Sequence, residues 1–539
     1  MVDEVEFDVV VVGSGAAGMT AALTAARHGL RTVVLEKADR FGGSTARSGG
    51  NVWVPDNDVL RRAGVADSPT LARAYLEHVT GGCVPAKRRD ALLAQGPAML
   101  SFVRAQTPLE FAWVPGYADY YPDAPGGLAQ GRTIEPMPLD GRVLGAELAN
   151  LTPPYLATPV TVTAADYRWL SLGTRHPRAL LATGRVLSRT LVSRALGRRL
   201  LSMGQALAAG LRAGLAAADV PVRLGTPMTG LTVEGDRVVG VATTRGVVRA
   251  RRGVLLASGG FEHNERMRKQ YQRAPIGTAW TVGAAGNTGD GIEAGQRLGA
   301  AVDLMDEAWW GPSIPLSGGP YFCLAERSLP GSLLVNGAGV RFVNEAAPYV
   351  DAVHAMYDHD AVPAWLVTDQ RYRDNYLFAG LPPRRPLPRR WYEAKAVYRA
   401  PTIAELAEQI AVPAGALQHT LDRFNGFARA GHDDDFHRGE SVYDRYYGDP
   451  RNRPNPCLAP LSKAPFYAVR IVPGDLGTKG GLRTDERARV LRPDGTSIAG
   501  LYAAGNASAA VMGRSYAGAG ATIGPAMTFG YIAALDLAG

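Results

Sequence analysis

Three glycines near the start, Gly13, Gly15 and Gly18, stand as G-x-G-x-x-G in “GSGAAG”, directly after the apolar run “FDVVVV” and at the mouth of “MTAALTAARHG”. In such a turn the first glycine permits the tight bend, the second lets a pyrophosphate touch the backbone, and the third lets helix and strand pack closely, so the pattern points to a dinucleotide. Glu36 ends the next strand, “LRTVVLEK”, where an acidic side chain accepts hydrogen bonds from a ribose hydroxyl. Near the other terminus, “SYAGAGATIG” sets Tyr516 beside a loop of small residues. Backbone without side chains can approach a ligand closely there, and the tyrosine offers a neutral hydroxyl donor.

These groups need a scaffold that brings both ends of the chain together. Residues 7 to 37 read as strand, turn, helix and strand, the opening of a doubly wound α/β domain. The spacing predicts helix from 68 to 105 and again from 200 to 217, with a Pro, Gly and Tyr-rich irregular region at 112 to 165. Residues 220 to 258 alternate apolar and polar side chains between glycine turns, as antiparallel strands do. The block from 281 to 450 has another texture: a hairpin signal in “GSLLVNGAGVRFVNE”, the loop “LPPRRPLPRR”, and two short helices, the first opened by a capping box from Thr402 to Glu405. “IAGLYAAGN” then reads as a buried strand ending in a tight turn. The expected architecture is α/β: a Rossmann-like nucleotide-binding domain from residues 1–280 and 451–539, with an inserted α+β domain at 281–450 that carries the substrate chemistry.

At 539 residues the chain exceeds one simple core. Its 58 Lys and Arg against 50 Asp and Glu leave +8, a mild bias that gives no ground for a nucleic-acid partner. Cys83, Cys323 and Cys457 lie too far apart for a disulfide framework or a clustered metal site, and the acidic N-terminus lacks the features of a secretory signal, so the cytoplasm is the expected home. No run of apolar residues is long enough to span a membrane. “HDDDFH” at 432 to 437 reads as an acid-rich surface loop, and no metal is expected. From Arg168 to Arg199 eight arginines alternate with leucine and tryptophan without one acidic residue, a basic amphipathic segment readable either as a solvated helical face or as peripheral contact with the inner face of a membrane. Trp309 and Trp310 suit an apolar pocket or the core alike.

The loop “RFGGSTARSGGNVWVPDN” at 40 to 57, together with “ASGGFEHN” at 257 to 264, “GNTGDGIEAGQRLGA” at 286 to 300 and “GLYAAGN” at 500 to 506, resembles the FAD-dependent fumarate reductase and 3-ketosteroid dehydrogenase superfamily. The resemblance implies FAD, held without a covalent link because the N-terminal flavin loops contain no histidine. It implies a cofactor site of Gly13, Ser14, Gly15, Ala17 and Gly18, with Glu36 at the adenosine ribose and Lys37 in the same set. Gly42, Gly43, Ser44, Ser48, Gly49 and Gly50 would wrap the cofactor, joined by Ser258 and Gly259. Asn287, Thr288, Gly289 and Asp290 are expected near its phosphates and flavin, and Gly505, Asn506, Ala521 and Ile523 complete the set.

Within that superfamily, “YADYYPDAPGG”, “YFCLAERSLPG”, “DFHRGESVYDRYYGDP” and “SYAGAGATIGPAMTFGY” are similar to 3-ketosteroid Δ1-dehydrogenases, nearly along the whole chain. By this resemblance Tyr516 and the backbone N–H of Gly520 meet the ketone oxygen, Tyr321 is the base that takes a proton from C2, and Tyr121 hydrogen-bonds to Tyr321 and eases its ionisation. The expected substrate is a 3-ketosteroid and the expected electron acceptor is quinone-like. Alternatives remain open at this level: a Δ4-dehydrogenase or a dehydrogenase of other cyclic ketones, an enoate or fumarate-type reductase, and a non-catalytic FAD protein that docks on membrane. The reductase is disfavoured because “GTKGGLRTDE” lacks the histidine of that branch.

Overall fold

The computed structural model describes residues 5–173 and 175–539; the acidic N-terminus before Val5, and Thr174 in the arginine-rich segment, lie outside them. Val5–Val12 is the central strand of an eight-stranded sheet. It runs parallel to Thr32–Leu35 on one side, with Val9 opposite Thr32 and Val12 opposite Leu35, and to Gly246–Leu256 on the other. Val9, Val10 and Val11 are buried, as a parallel strand covered on both faces requires. Ser497–Ala503, from the far end of the chain, runs parallel to Gly246–Leu256, so both termini build this sheet. The alternating stretch forms the expected antiparallel meander of Met228–Glu234, Arg237–Thr243 and Gly246–Leu256.

The helix Ala16–Arg27 follows the first strand, and Ile523–Ala538 packs across it. Their approach is close: a Cβ on Gly530 would lie 2.4 Å from the Ala17 carbonyl oxygen. This crossing brings the loop that carries Tyr516 to the mouth of the first turn.

The second sheet has six strands and is antiparallel throughout: Gly319–Phe322, Ala308–Leu316, Phe466–Thr478, Ala364–Asp369 and Ser332–Val335 in that order, with Val397–Ala400 also paired to Phe466–Thr478. It reaches past the expected boundary at 450. Phe466–Thr478 contains a proline and two glycines and reads locally as loop; its identity as a central strand comes from partners far away in sequence. Thr402 caps the helix Ile403–Gln409 as expected, whereas the helix after it, Ala414–Ala430, runs to 17 residues and is not short.

Candidate active site

The glycine turn has the geometry its spacing implies. Gly13 adopts φ +107°, and a Cβ there would sit 2.3 Å from the Ala257 carbonyl oxygen; a Cβ on Gly18 would lie 2.0 Å from the carbonyl oxygen of Gly13. The Ser14 N–H and hydroxyl donate to one carboxylate oxygen of Glu36 at 3.0 and 2.6 Å, and the Ala38 N–H donates to the other at 2.9 Å. Lys37 donates to Thr288 at 2.6 Å and to Asp290 at 2.7 Å, tying the end of the second strand to the 287–290 turn. Ala16 N–H donates to the Thr45 hydroxyl, and the Asn287 amide donates to Ser44 at 3.0 Å and to Glu262 at 2.6 Å. These bonds join the glycine turn, the end of the second strand, the 44–45 segment and the 287–290 turn into one connected network.

Tyr516 lies buried, and its hydroxyl accepts from Thr522 at 3.0 Å. The backbone N–H of Gly520 also faces this hydroxyl. Gly520 has φ +92°, and a Cβ on it would press within 2.5 Å of the Asn51 backbone, so no other residue fits the turn that aims this N–H. Trp309 stands edge-on to Tyr516 with centroids 5.0 Å apart, and its indole N–H donates to Asn506 at 3.1 Å. Trp310 instead donates to Glu307.

Two tyrosines that the sequence reading did not single out complete the cluster. The Tyr120 hydroxyl donates to that of Tyr349 at 3.1 Å, and their rings lie 5.2 and 5.4 Å from Tyr516. Burial drives both phenols well above their usual range, but the bond donated by Tyr120 works to ease ionisation of Tyr349. Tyr117 and Tyr443 pack on Tyr120, and Tyr446 and Tyr447 pack in turn on Tyr117, Tyr446 stacking at 4.2 Å.

The expected hydrogen bond between Tyr121 and Tyr321 is not formed. Tyr121 donates to Asp351 at 2.9 Å, and Tyr321 donates to Glu326 at 2.7 Å. Adjacent residues of the strand Gly319–Phe322 face opposite ways: Phe322 meets Tyr349 edge-on, which turns Tyr321 toward Glu326. Burial and the Glu326 carboxyl both hold the Tyr321 phenol well above its usual range. Tyr120 and Tyr121 diverge likewise, toward residues two apart at the start of the helix Tyr349–Asp358, which lie on different faces. The doublet “DYY” carries no local sign of which ring turns inward.

The FAD binding domain family matches residues 8–523. The chain belongs to that family. The 3-oxosteroid 1-dehydrogenase of Mycolicibacterium smegmatis is 56% identical over 99% of this chain and 97% of its own length, and that of Mycobacterium tuberculosis 57% identical over 99% and 98%. The crystal structure of 3-ketosteroid Δ1-dehydrogenase from Sterolibacterium denitrificans in complex with 1,4-androstadiene-3,17-dione superposes with a TM-score of 0.95 at 42% identity, covering 99% of each chain.

The residues of this flavoprotein fit FAD. Gly43 and Gly49 leave bare backbone facing open space, and Ser258 Oγ and Asn51 Oδ1 are buried without a partner among the described residues, as unfilled cofactor contacts would be. Asn287 donates to Ser44 and Glu262, and Asn506 accepts from Trp309, so both expected cofactor residues already have partners within the protein.

In “HDDDFH”, Asp433 clamps buried Arg341 and Asp435 pairs with Arg423. The exposed side chains of His432, His437 and Glu440 bring ligand atoms within 4.8 Å of one another.

The arginine-rich segment forms two helices, Ala164–Leu170 and Pro177–Ala195, clasped by Asp166, which accepts from Arg185 at 2.8 Å and Arg189 at 2.7 Å. The longer helix is inverted. It buries small residues, Ala179, Ala182, Val186, Thr190 and Ser193, and exposes Leu180, Leu181, Leu187, Leu191 and Val192. Among the described residues no helix is long and apolar enough to cross a membrane.

Proposed function

We propose that this chain is an FAD-dependent 3-oxosteroid 1-dehydrogenase that introduces a C1–C2 double bond into ring A of a 3-ketosteroid. The observation that carries the reading is the meeting of the Tyr516 hydroxyl, the Gly520 N–H and the Tyr120–Tyr349 pair in one buried cluster. A C–H beside a ketone gives up its proton only when the oxygen that takes the charge is met by donors. Tyr516 and Gly520 supply them, each worth about 3 to 4 kcal/mol in a water-excluded site. Tyr349 takes the proton from C2, and Tyr120 stabilises the phenolate that must form first. Bound FAD supplies the acceptor for the hydride that leaves C1. The steroid thus loses one proton and one hydride, two electrons in all, which pass on to a quinone-like acceptor.

Anaerobic mixing of the holoenzyme with 4-androstene-3,17-dione tests the reading. Bleaching of the flavin and formation of the 1,4-diene are expected. That steroid already carries the Δ4 bond, so bleaching only by its 5α-reduced analogue moves the reaction to C4–C5. An FAD-loaded protein inert to every 3-ketosteroid overturns the assignment.

The inverted helix Pro177–Ala195 supports peripheral seating on an anionic lipid surface, as a finer part of the same reading. Leu181 is 72% and Leu191 63% exposed, which water disfavours and a headgroup region accommodates. Exposed Arg178, Arg194, Arg198 and Arg199 flank these side chains and suit anionic headgroups. A bilayer is also where a water-insoluble steroid and a quinone-like acceptor reside.

A further inference from the structure

Lys479 is buried, yet no carboxylate pairs with its ammonium among the described residues. It stands in “GTKGGLRTDE”, at the end of the long strand Phe466–Thr478. Two of its N–H groups donate to main-chain carbonyls, that of Arg514 at 2.7 Å and that of Ser515 at 2.8 Å. The ammonium also faces the ring of Trp309 at 4.9 Å. These are the two peptide carbonyls directly before Tyr516 and the indole that abuts the Tyr516 ring. Its own backbone is pinned on both sides, the N–H donating to Glu307 and the carbonyl accepting from Ala510.

Burying a charge is costly unless it is paired and hydrogen-bonded, and a neutral side chain would fill this space more cheaply. A lysine retained here, gripping the turn that carries a proposed catalytic group, is placed for function.

We propose that Lys479 is a positioning residue of the enolate site: its buried ammonium holds the 514–516 turn so that the Tyr516 hydroxyl meets the ketone oxygen. This rests on the reading of Tyr516 given above. Several groups set its protonation. Burial lowers its pKa, the Glu307 and Asp351 carboxylates and the Cys83 thiol oppose this, and the Arg514 guanidinium adds to it, leaving the value at about 8. Arg514 pairs with Asp306 and Glu307, and Glu307 accepts from His354. Below about pH 8 the grip is charge-assisted; above it the neutral amine holds the same carbonyls more weakly.

The test is anaerobic flavin reduction of the holoenzyme by a 3-ketosteroid, followed from roughly pH 6 to 10 across the lysine and tyrosine range. In the parent the logarithm of the rate climbs as Tyr349 ionises, and its slope breaks near pH 8 as Lys479 loses its proton. In Lys479→Met and Lys479→Gln the break is absent. The Met variant is slower by about 10²-fold, the usual cost of a misplaced group, with steroid affinity retained. The Gln variant, which keeps N–H donors, is slowed less and decides the matter if the Met variant does not fold. In a Tyr516→Phe background the effect of Lys479→Met shrinks, because the lysine acts through that hydroxyl. Flavin-loaded variants that reduce at the parental rate, or that keep the break near pH 8, overturn the proposal. So does a lower unfolding temperature or FAD content with an unchanged rate per flavin. A parent that no 3-ketosteroid bleaches overturns the proposed function itself, and this inference with it.

Discussion

The Tyr120 hydroxyl donates to Tyr349 across 3.1 Å, joining the irregular loop near residue 120 to the first turn of the helix Tyr349–Asp358. Burial alone would keep Tyr349 neutral, and the donated bond is the feature that favours its phenolate.

Tyr349→Phe removes the proposed base and keeps the ring. Steroid binding should persist while flavin reduction slows by roughly 10² to 10⁴, the usual yield of general-base catalysis. Tyr321→Phe is the control, because that hydroxyl serves Glu326. Rapid-mixing absorbance of the two variants decides between them: a slow Tyr321→Phe beside an unaffected Tyr349→Phe would return the base to Tyr321.

Tyr120→Phe should act more mildly and shift the rate profile to higher pH. Losing the donor raises the Tyr349 pKa, so the variant falls behind at neutral pH and recovers as alkali supplies the phenolate. A profile that keeps its position would show that the hydrogen bond does not tune the base.

Glu262 braces Asn287, and burial together with the Asp475 carboxylate raises its pKa to about 7. A glutamate in the unfolded chain titrates near about 4.3. Between these values the folded protein holds a proton that the unfolded chain has released. This contribution to stability is therefore full below about pH 4 and is lost as pH rises toward 7. Glu262→Gln removes the dependence and keeps an oxygen for Asn287. Its unfolding temperature relative to the parent should increase from pH 5 to pH 8 and then level off; a constant difference across that range would contradict the shifted carboxyl.

Leu181→Ser combined with Leu191→Ser should weaken binding to anionic vesicles without changing flavin reduction by dissolved steroid. Parent binding should also fall with added salt, since charge attraction is screened within about 10 Å at 0.1 M. Cosedimentation measures both. Equal binding to neutral and anionic vesicles, or none to either, would remove the lipid surface from the account.

The sequence alone determined the dinucleotide turn. Gly13, Gly15, Gly18 and Glu36 lie within one strand, turn, helix and strand unit, where covalent connectivity sets the geometry. It also determined the α/β class and the basic amphipathic character of 168–199; the burial of small residues and exposure of leucines along Pro177–Ala195 emerged only in the fold. Which tyrosines meet was decided only by the tertiary structure. Tyr120 and Tyr121 are chemically identical neighbours, and the packing of Tyr349 and Asp351 against them sends one hydroxyl inward and the other away. Strand alternation turned Tyr321 from the cluster, and long-range pairing carried Phe466–Thr478 into the second sheet, bringing Lys479 beneath the Tyr516 turn. Such choices rest on contacts between segments distant along the chain, which local composition does not encode.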